Sequence, residues 1–382
     1  MTTDIPFTGV PFPRSEYERR QENALAAVQR AGLDALLVTA HGHLRYLTGY
    51  HGYGAYFAPF PLILTPGRAP TFVVREFEVE GVRAESCIDE MVAYTEQYDF
   101  ATVCADILRR YGLQGRRVGF ELGCWNLAPN DLSALQVRLP DMKVVDATRL
   151  VASVAAVKSE LELKTIRDAI AITDLAVRTF QNSLREGITE VEMSTILDAE
   201  VKKAGGELRP ARTIVFGERT KLSHGSPMPH AMAKDQPAMI ELGGWKYGYA
   251  VGLVRGAVLG DHSDAESLHD LSVEALEATI AAIKPGVTAG EVDAAGRNVI
   301  VRSGRQVLRH RVGYQTGIHW TERGNISLEP GAADIIEAGM TLHMPLILSG
   351  ESGHLFGTSE HVLVTERGVE ILSRTPHKLY RA

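Results

Sequence analysis

Cysteine and long apolar runs are both scarce in this sequence of 382 residues. The three cysteines, Cys87, Cys104 and Cys124, are scattered without the spacing of metal ligands. So sparse and odd a set argues against a disulfide framework and indicates core thiols in a reducing compartment. The longest apolar runs, such as residues 60–64, are far shorter than the roughly 20 residues of a membrane span. We therefore expect neither a disulfide-rich protein nor a membrane protein.

An excess of basic charge is also missing. The formal net charge is -7, whereas binding to nucleic acid phosphates needs concentrated lysine and arginine. The one local exception is the arginine-rich stretch 302–311, which we interpret as a solvated face. The N-terminus has no basic start followed by an apolar core, so a secretory signal is not expected. The sequence predicts a cytoplasmic protein with no nucleic-acid or membrane partner.

The first part of the chain alternates helical and strand patterns. The predicted helices cover residues 15–31, 101–111 and 131–139. The predicted strands cover residues 35–39, 61–65, 71–74 and 117–121. This alternation indicates a sheet covered by helices that forms one α/β domain over residues 1–152.

The second part of the chain contains an internal repeat. Residues 151–205 have helical periodicity with a break at Glu186, and Thr189 begins a capping sequence. The same layout returns after residue 268, where Thr288 caps the later helix. We expect a duplication of helix, loop, helix and strand hairpin, which makes residues 153–382 a pseudo-symmetric domain.

Two strands of that domain carry the most informative polar residue. Residues 238–243 are an apolar run that includes Glu241, and residues 247–259 form the second strand of the hairpin. A carboxylate at the end of a buried strand costs several kcal/mol unless it is paired or used. Glu241 is therefore a candidate for chemistry, and a strand-end glutamate that faces water is the alternative.

An aromatic loop precedes the second predicted strand of the first domain. Tyr50, Tyr53, Tyr56, Phe57 and Phe60 lie among glycines and small residues. Core packing explains some of these rings, and a ligand wall or a subunit contact would explain the others.

Several motifs together make the chain resemble the creatinase and aminopeptidase P superfamily. They are Lys158-Ser159 with Glu162 and Arg167, the turn at residues 284–288, and the strand at residues 360–364. The resemblance implies a mixed α/β (α+β) fold, with a creatinase-like domain over 1–152 and a pita-bread catalytic domain over 153–382. It also implies a homodimer, in which we expect the loop 50–60 of one subunit to lie near the site of the other.

Most peptidases of that superfamily hold two metal ions with two aspartates, one histidine and two glutamates. This sequence departs from the pattern at four of the five positions. Glu241 and Gly252 stand at the aspartate positions, Tyr314 replaces the histidine, and residues 339–345 lack the first glutamate. Glu360 alone is kept. We therefore expect no metal and no cofactor.

The resemblance also assigns roles to the remaining polar residues. His224 lies seventeen residues before Glu241, the spacing at which the family places a catalytic histidine. We assign Glu241 as base or nucleophile, His224 as proton carrier, His343 as second proton carrier and Tyr314 as donor to the tetrahedral centre. The residues expected to bind a small-molecule substrate are Tyr53, Tyr56, Phe57, Arg255, His319, Trp320 and Glu360. For Arg255 we also expect an ion pair that orders the site, with Glu360 as its partner or as a ligand-binding carboxylate.

Within the superfamily, residues 241–260, 312–328 and 339–348 are most similar to the ectoine hydrolase branch. That resemblance implies hydrolysis of a C–N bond in a small zwitterion such as ectoine or a related cyclic amidine. An amidinium carbon is already electrophilic, so this reaction needs no Lewis-acid metal. The alternatives are a creatinase-like amidinohydrolase, an Xaa-Pro peptidase and a catalytically silent binding module.

Overall fold

The computed structural model describes residues 10–56, 58–95 and 100–382. The chain divides into two compact units. One contains residues 1–155 with 322–325, and the other contains residues 156–321 with 326–382. Among the described residues, no helix combines the length and apolar character that crossing a membrane requires.

The first unit is built around a mixed six-stranded sheet. Its strands are β1 (Ala35–Val38), β2 (Leu62–Leu64), β3 (Thr71–Arg75), β4 (Glu90–Tyr94), β5 (Arg117–Phe120) and β6 (Lys143–Asp146). They lie in the order β4-β3-β2-β1-β5-β6. Strand β1 pairs parallel with β5 and antiparallel with β2, and all four of its residues are buried. A central strand that is buried on both faces has a continuous apolar sequence, as β1 has.

Helices cover this sheet. They are α1 (Arg14–Arg30), α2 (His41–Thr48), α3 (Val79–Glu85), α4 (Phe100–Arg110), α5 (Pro129–Arg138) and α6 (Thr148–Val154). The sequence predicts a loop from residue 43 to the strand at 61–65, and helix α2 shows that this prediction is wrong over residues 43–48. The helix buries Leu44 and Leu47 and ends at Gly49, whose φ of 84° provides the left-handed turn. A helical pattern of only eight residues that include a glycine is too short to be recognised from the sequence.

The second unit contains four long helices in two pairs. They are α7 (Glu160–Ser183) with α8 (Glu190–Lys203), and α9 (Ser263–Ala282) with α10 (Ala289–Arg302). Capping boxes begin α7, α8 and α10, where Ser159, Thr189 and Thr288 accept from the backbone N–H three residues on. Each box satisfies N–H groups that the helix itself leaves unpaired, which explains why the helices start there.

Each helix pair is followed by a short strand and a long hairpin. The strands are β7 (Thr213–Phe216), β8 (Gln236–Lys246), β9 (Tyr249–Leu259), β10 (Gly313–Gln315), β11 (Ser327–Leu328), β12 (Thr341–Ser349), β13 (Leu355–Thr365), β14 (Gly368–Ile371) and β15 (Tyr380–Arg381). Their sheets have the orders β15-β9-β8-β7 and β11-β10-β12-β13-β14. Strand β7 pairs with the hairpin β8–β9 as β10 pairs with β12–β13. The predicted pseudo-two-fold repeat is therefore confirmed.

The two hairpins meet through their inner strands. The backbone N–H of Val254 on β9 donates to Ser359 Oγ on β13 at 2.7 Å. Gly256 lets the strands approach, since a Cβ atom on it would lie 2.4 Å from the Phe356 ring. One core cluster extends from Met239 and Val254 to Leu342 and Phe356, so both repeats share a core.

Candidate active site

Three of the four predicted catalytic residues line one cavity of the second unit. Glu241, His224 and Tyr314 border this space of about 790 Å³. Glu241 comes from the first repeat and Tyr314 from the second. The cavity is therefore formed by both halves of the duplication.

Glu241 lies in the middle of β8, opposite Thr213 of β7 and Val254 of β9. The prediction of a strand end is wrong, because residues 242–246 continue the strand beyond the apolar run. The side chain is half-buried, and no described residue donates a hydrogen bond to it. A carboxylate in this situation is available to water or to a ligand.

The Tyr314 hydroxyl is held by two neighbouring rings. Trp320 Nε1 donates to it at 2.8 Å, and His343 Nδ1 lies 3.1 Å from it. The other ring nitrogen, His343 Nε2, lies 2.9 Å from Ser359 Oγ, which already accepts from the N–H of Val254. If Ser359 donates to Nε2 and His343 Nδ1–H donates to Tyr314, the hydrogens of Ser359, His343 and Trp320 are all paired. This assignment is made from the hydrogen-bond network. The tyrosine's own proton then remains free to donate into the cavity.

The charge state of Tyr314 suits a donor. Burial, and after it the carboxylate of Glu241, raises the pKa of Tyr314 to about 12, while the hydrogen bond from Trp320 opposes that rise. The hydroxyl is therefore protonated throughout the neutral range.

His343 lies behind Tyr314 and does not border the cavity. Its side chain is fully buried, and burial, with the nearby His361 next in importance, holds its pKa well below the usual value. A neutral imidazole in this position orients Tyr314. It does not reach the cavity as the second proton carrier that the sequence predicts.

His224 reaches the cavity from an exposed loop. The loop follows a 3-10 helix, Gly217–Lys221. The backbone of His224 has a φ of 57°, an uncommon conformation for a residue other than glycine. His224 remains a catalytic candidate because it lines the same space as Glu241.

Arg255 and Glu360 are buried away from the cavity wall. Arg255 donates to the backbone oxygens of Ser359 and Thr375 at 2.6 and 2.9 Å, and it lies 3.7 Å from Glu360. Burial raises the pKa of Glu360, but the hydrogen bond from His377 and the charge of Arg255 outweigh it, so this pKa lies below its usual value. The structure makes these two residues an internal ion pair, which confirms the expected ion pair and corrects their assignment as substrate contacts.

The remaining residues predicted to contact the substrate have different positions. Trp320 lines the cavity, whereas His319 does not, and its ring packs edge-on against Trp245 at 5.7 Å between ring centroids. Phe57 and the side chains of Tyr53 and Tyr56 lie outside the described part of the chain.

Comparison with known proteins identifies the family. The family model "Metallopeptidase family M24" matches residues 164–366, and "Creatinase/Prolidase N-terminal domain" matches residues 20–157. The chain belongs to metallopeptidase family M24. The hydrolase/peptidase y4tL of Sinorhizobium fredii is 30% identical over 96% of this chain and 97% of its own. The peptidase YqhT of Bacillus subtilis is 24% identical over 91% and 96%.

Solved structures show the same fold. An Xaa-Pro dipeptidase from Bacillus anthracis has a TM-score of 0.81 and 22% identity, and the match covers 96% of this chain and all of the other (100%). Dipeptidase PepE from Mycobacterium ulcerans has a TM-score of 0.85 and 23% identity over 97% and 99%. The predicted mixed α/β pita-bread architecture is confirmed.

The same comparisons correct the predicted activity. The M24 relatives are named peptidases, and the similar structures are named Xaa-Pro dipeptidase, prolidase and dipeptidase. The prediction of an enzyme that opens ectoine or a related cyclic amidine is therefore wrong. A hydrolase remains, and the peptidase named among the alternatives agrees better with the family than a hydrolase of other C–N bonds.

The name of family M24 implies metal ions, but the possible metal ligands of this cavity do not fit a site for two metal ions. A Cβ atom on Gly252 would lie 1.6 Å from Cη2 of Trp320, so an indole fills the space of the second aspartate. Tyr314 and Glu360 are already engaged in the contacts described above. Within the described part of the chain, no group of three or more His, Cys, Asp or Glu side chains is arranged to hold a metal ion.

Five basic residues of the cavity lining are absent from the set predicted by sequence: Arg209, Arg212, Arg309, His310 and Arg311. Most of the stretch 302–311 is exposed, as a solvated face requires, but the sequence did not predict that residues 309–311 border the cavity. The density of arginine in a chain of net negative charge was the available signal.

Proposed function

We propose that this M24 protein is a peptidase of the Xaa-Pro dipeptidase type that hydrolyses the amide bond of a dipeptide-sized substrate. The observation that carries the proposal is the cavity, which combines the unpaired carboxylate of Glu241, the hydroxyl of Tyr314 and the imidazole of His224. The names of the relatives support the class of substrate.

The chemistry follows from the positions of these groups. Glu241 takes a proton from water, and the hydroxide attacks the carbonyl carbon. The Tyr314 hydroxyl donates to the oxygen that becomes negative in the tetrahedral intermediate. When the C–N bond breaks, the proton held by Glu241 passes to His224, and His224 donates a proton to the leaving nitrogen. The products are a carboxylic acid and an amine, and Glu241 is restored as a carboxylate.

We further propose that this reaction proceeds without a metal ion or another cofactor. The mismatch between the cavity donors and a two-metal site supports this, because Gly252 has no side chain and Trp320 fills the adjacent space. The homodimer and the cytoplasmic location stay predictions.

A panel of Xaa-Pro dipeptides tests the function directly. Wild-type protein should release free proline, measured by mass spectrometry. Glu241→Gln keeps the shape of the side chain but removes the base, so turnover should fall by about 10³-fold while the fold survives. The matched control is Glu277→Gln on the exposed face of α9, which should keep wild-type turnover. A Glu241→Gln variant with more than about a tenth of wild-type turnover, a loss of roughly 1.4 kcal/mol, would contradict the role of Glu241.

The mismatched donor set also favours a second candidate, a catalytically silent binding domain. In that case calorimetry would detect dipeptide binding to the wild-type protein, but no proline would appear. That combination of results would replace the proposed activity.

A further inference from the structure

The wall of the cavity carries an excess of positive charge. Among its described lining residues, Arg209, Arg212, Arg309 and Arg311 are cations and Glu241 is the one carboxylate. Arg212 forms a bidentate ion pair with Asp198 outside the cavity lining. The other three arginines and the single glutamate leave a net charge of +2.

None of these three arginines forms a close ion pair among the described residues, although Glu241 interacts with Arg209 and Glu329 with Arg311 at longer range. Arg311 Nε is buried without a hydrogen-bond acceptor, and Arg311 Nη1 has only a long contact, 3.5 Å, to Ser327 Oγ. Arg209 Nη1 likewise has a 3.5 Å contact to the backbone oxygen of Ala211. The Nη1 groups of Arg209 and Arg311 therefore lack a good acceptor, and an anionic ligand in the cavity would supply one.

Aromatic rings fix two of these guanidinium groups beside the reacting groups. Arg311 Cζ lies 4.3 Å from the centroid of the Tyr314 ring, and Arg209 Cζ lies 5.2 Å from that of Trp320. These are the two rings joined by the hydrogen bond to the Tyr314 hydroxyl. Because stacking holds a planar guanidinium in one orientation, its N–H groups are arranged in advance for a carboxylate.

We propose that Arg209, Arg309 and Arg311 form a binding site for a dicarboxylate, and that the substrate is an acidic dipeptide with two carboxylates. Guanidinium groups bind carboxylates through paired charge-assisted hydrogen bonds. Two carboxylates offer four acceptor oxygens to the three guanidinium groups, whereas a monocarboxylate offers two. The identity of the cleaved bond rests on the proposed function, but the binding of the two carboxylates does not.

Calorimetric titration with succinate, a dicarboxylate that contains no amide bond, tests the site. We expect wild-type protein to bind succinate and not the neutral succinamide. Arg309→Gln and Arg311→Gln should each bind succinate at least roughly tenfold more weakly, because each loses charge-assisted hydrogen bonds. The matched control, Arg302→Gln, changes an exposed arginine of α10 outside the cavity and should bind as wild type does.

The outcomes separate this site from the proposed function. Succinate binding that depends on Arg309, in a protein that cleaves no Xaa-Pro dipeptide, would retain the anion site and reject the peptidase. Failure of wild type to bind succinate, equal binding of succinamide, or equal weakening in Arg302→Gln would each overturn the site. Should Arg311→Gln unfold, Arg309→Gln decides, since the Arg309 side chain is half-buried and makes no hydrogen bond to the described residues.

Discussion

At the scale of single residues, the site depends on the Tyr314 hydroxyl, which faces Glu241 on one side and His343 on the other. The hydroxyl accepts from Trp320 and, in the assigned tautomer, from His343, which leaves its proton for a ligand. His343 is in turn fixed by Ser359, whose oxygen is held by the backbone of β9. Packing of the two hairpins thus determines the direction in which Tyr314 donates.

Replacing Tyr314 by phenylalanine should separate catalysis from binding. We expect kcat to fall by about 10²- to 10³-fold with little change in KM, because the donor acts on charge that develops in the transition state. The free energy of unfolding should fall by roughly 1–3 kcal/mol, since Trp320 Nε1 and His343 Nδ1 both lose their acceptor. Steady-state kinetics and urea unfolding measure the two effects.

The control for this variant is Tyr380→Phe at the C-terminal strand β15. It should change neither kcat nor stability measurably. A Tyr314→Phe protein with normal kcat would show that the hydroxyl has no part in the reaction.

At the scale of elements, strands β12 and β13 bring two buried histidines into register. His343 lies opposite His361, and their rings stack with centroids 5.4 Å apart. Burial lowers the pKa of His361 to about 4, although Glu360 opposes this decrease. Both imidazoles are therefore neutral at pH 7, and protonation of either works against the folded state.

The sign of the pH effect follows from that lowered pKa. In the unfolded chain His361 binds its proton near pH 6.5, whereas in the folded chain it does so near 4. Neutral His361 makes its full contribution to the free energy of unfolding above about pH 6.5, and this contribution is lost as the pH falls towards 4. It amounts to roughly 3 kcal/mol over the whole interval.

Urea unfolding at pH 7, 6 and 5 should show this loss in the wild type. His361→Gln cannot titrate, so its stability should decline less over the same interval, whatever its absolute value. The exposed His51 provides the control, since His51→Gln should follow the wild-type slope. Equal slopes for wild type and His361→Gln would contradict the assignment.

The sequence predicted the helix starts better than it predicted the cavity, for physical reasons. The capping boxes at Thr189 and Thr288 are local signals, so the predicted starts of their helices are correct, whereas the start of α7 at Ser159 was not predicted. The cavity is a tertiary feature. The position of Trp320 over Gly252 depends on a left-handed backbone with a φ of 72° and on strands far apart in the chain, which no local pattern encodes.

At the scale of the whole molecule, the catalytic unit uses a duplicated M24 fold whose halves contribute different groups. Glu241 pairs with Thr213 in the first repeat, and His343 pairs with Tyr314 in the second. Strand β8 thus holds a carboxylate in one half, and β12 holds a neutral imidazole beside a tyrosine in the other. An indole then fills the space that a metal ligand would need at Gly252. The proposed hydrolysis must therefore proceed by proton transfer alone, without a metal ion.

The most direct test of this central claim is turnover of a cleaved Xaa-Pro dipeptide after removal of metal. The protein is dialysed against a strong chelator, its metal content is measured by mass spectrometry, and proline release is compared before and after. The account predicts that protein with far less than one metal equivalent per chain keeps its kcat to within about twofold. Loss of activity on dialysis, with recovery when about two equivalents of a divalent transition metal are added back, would contradict it.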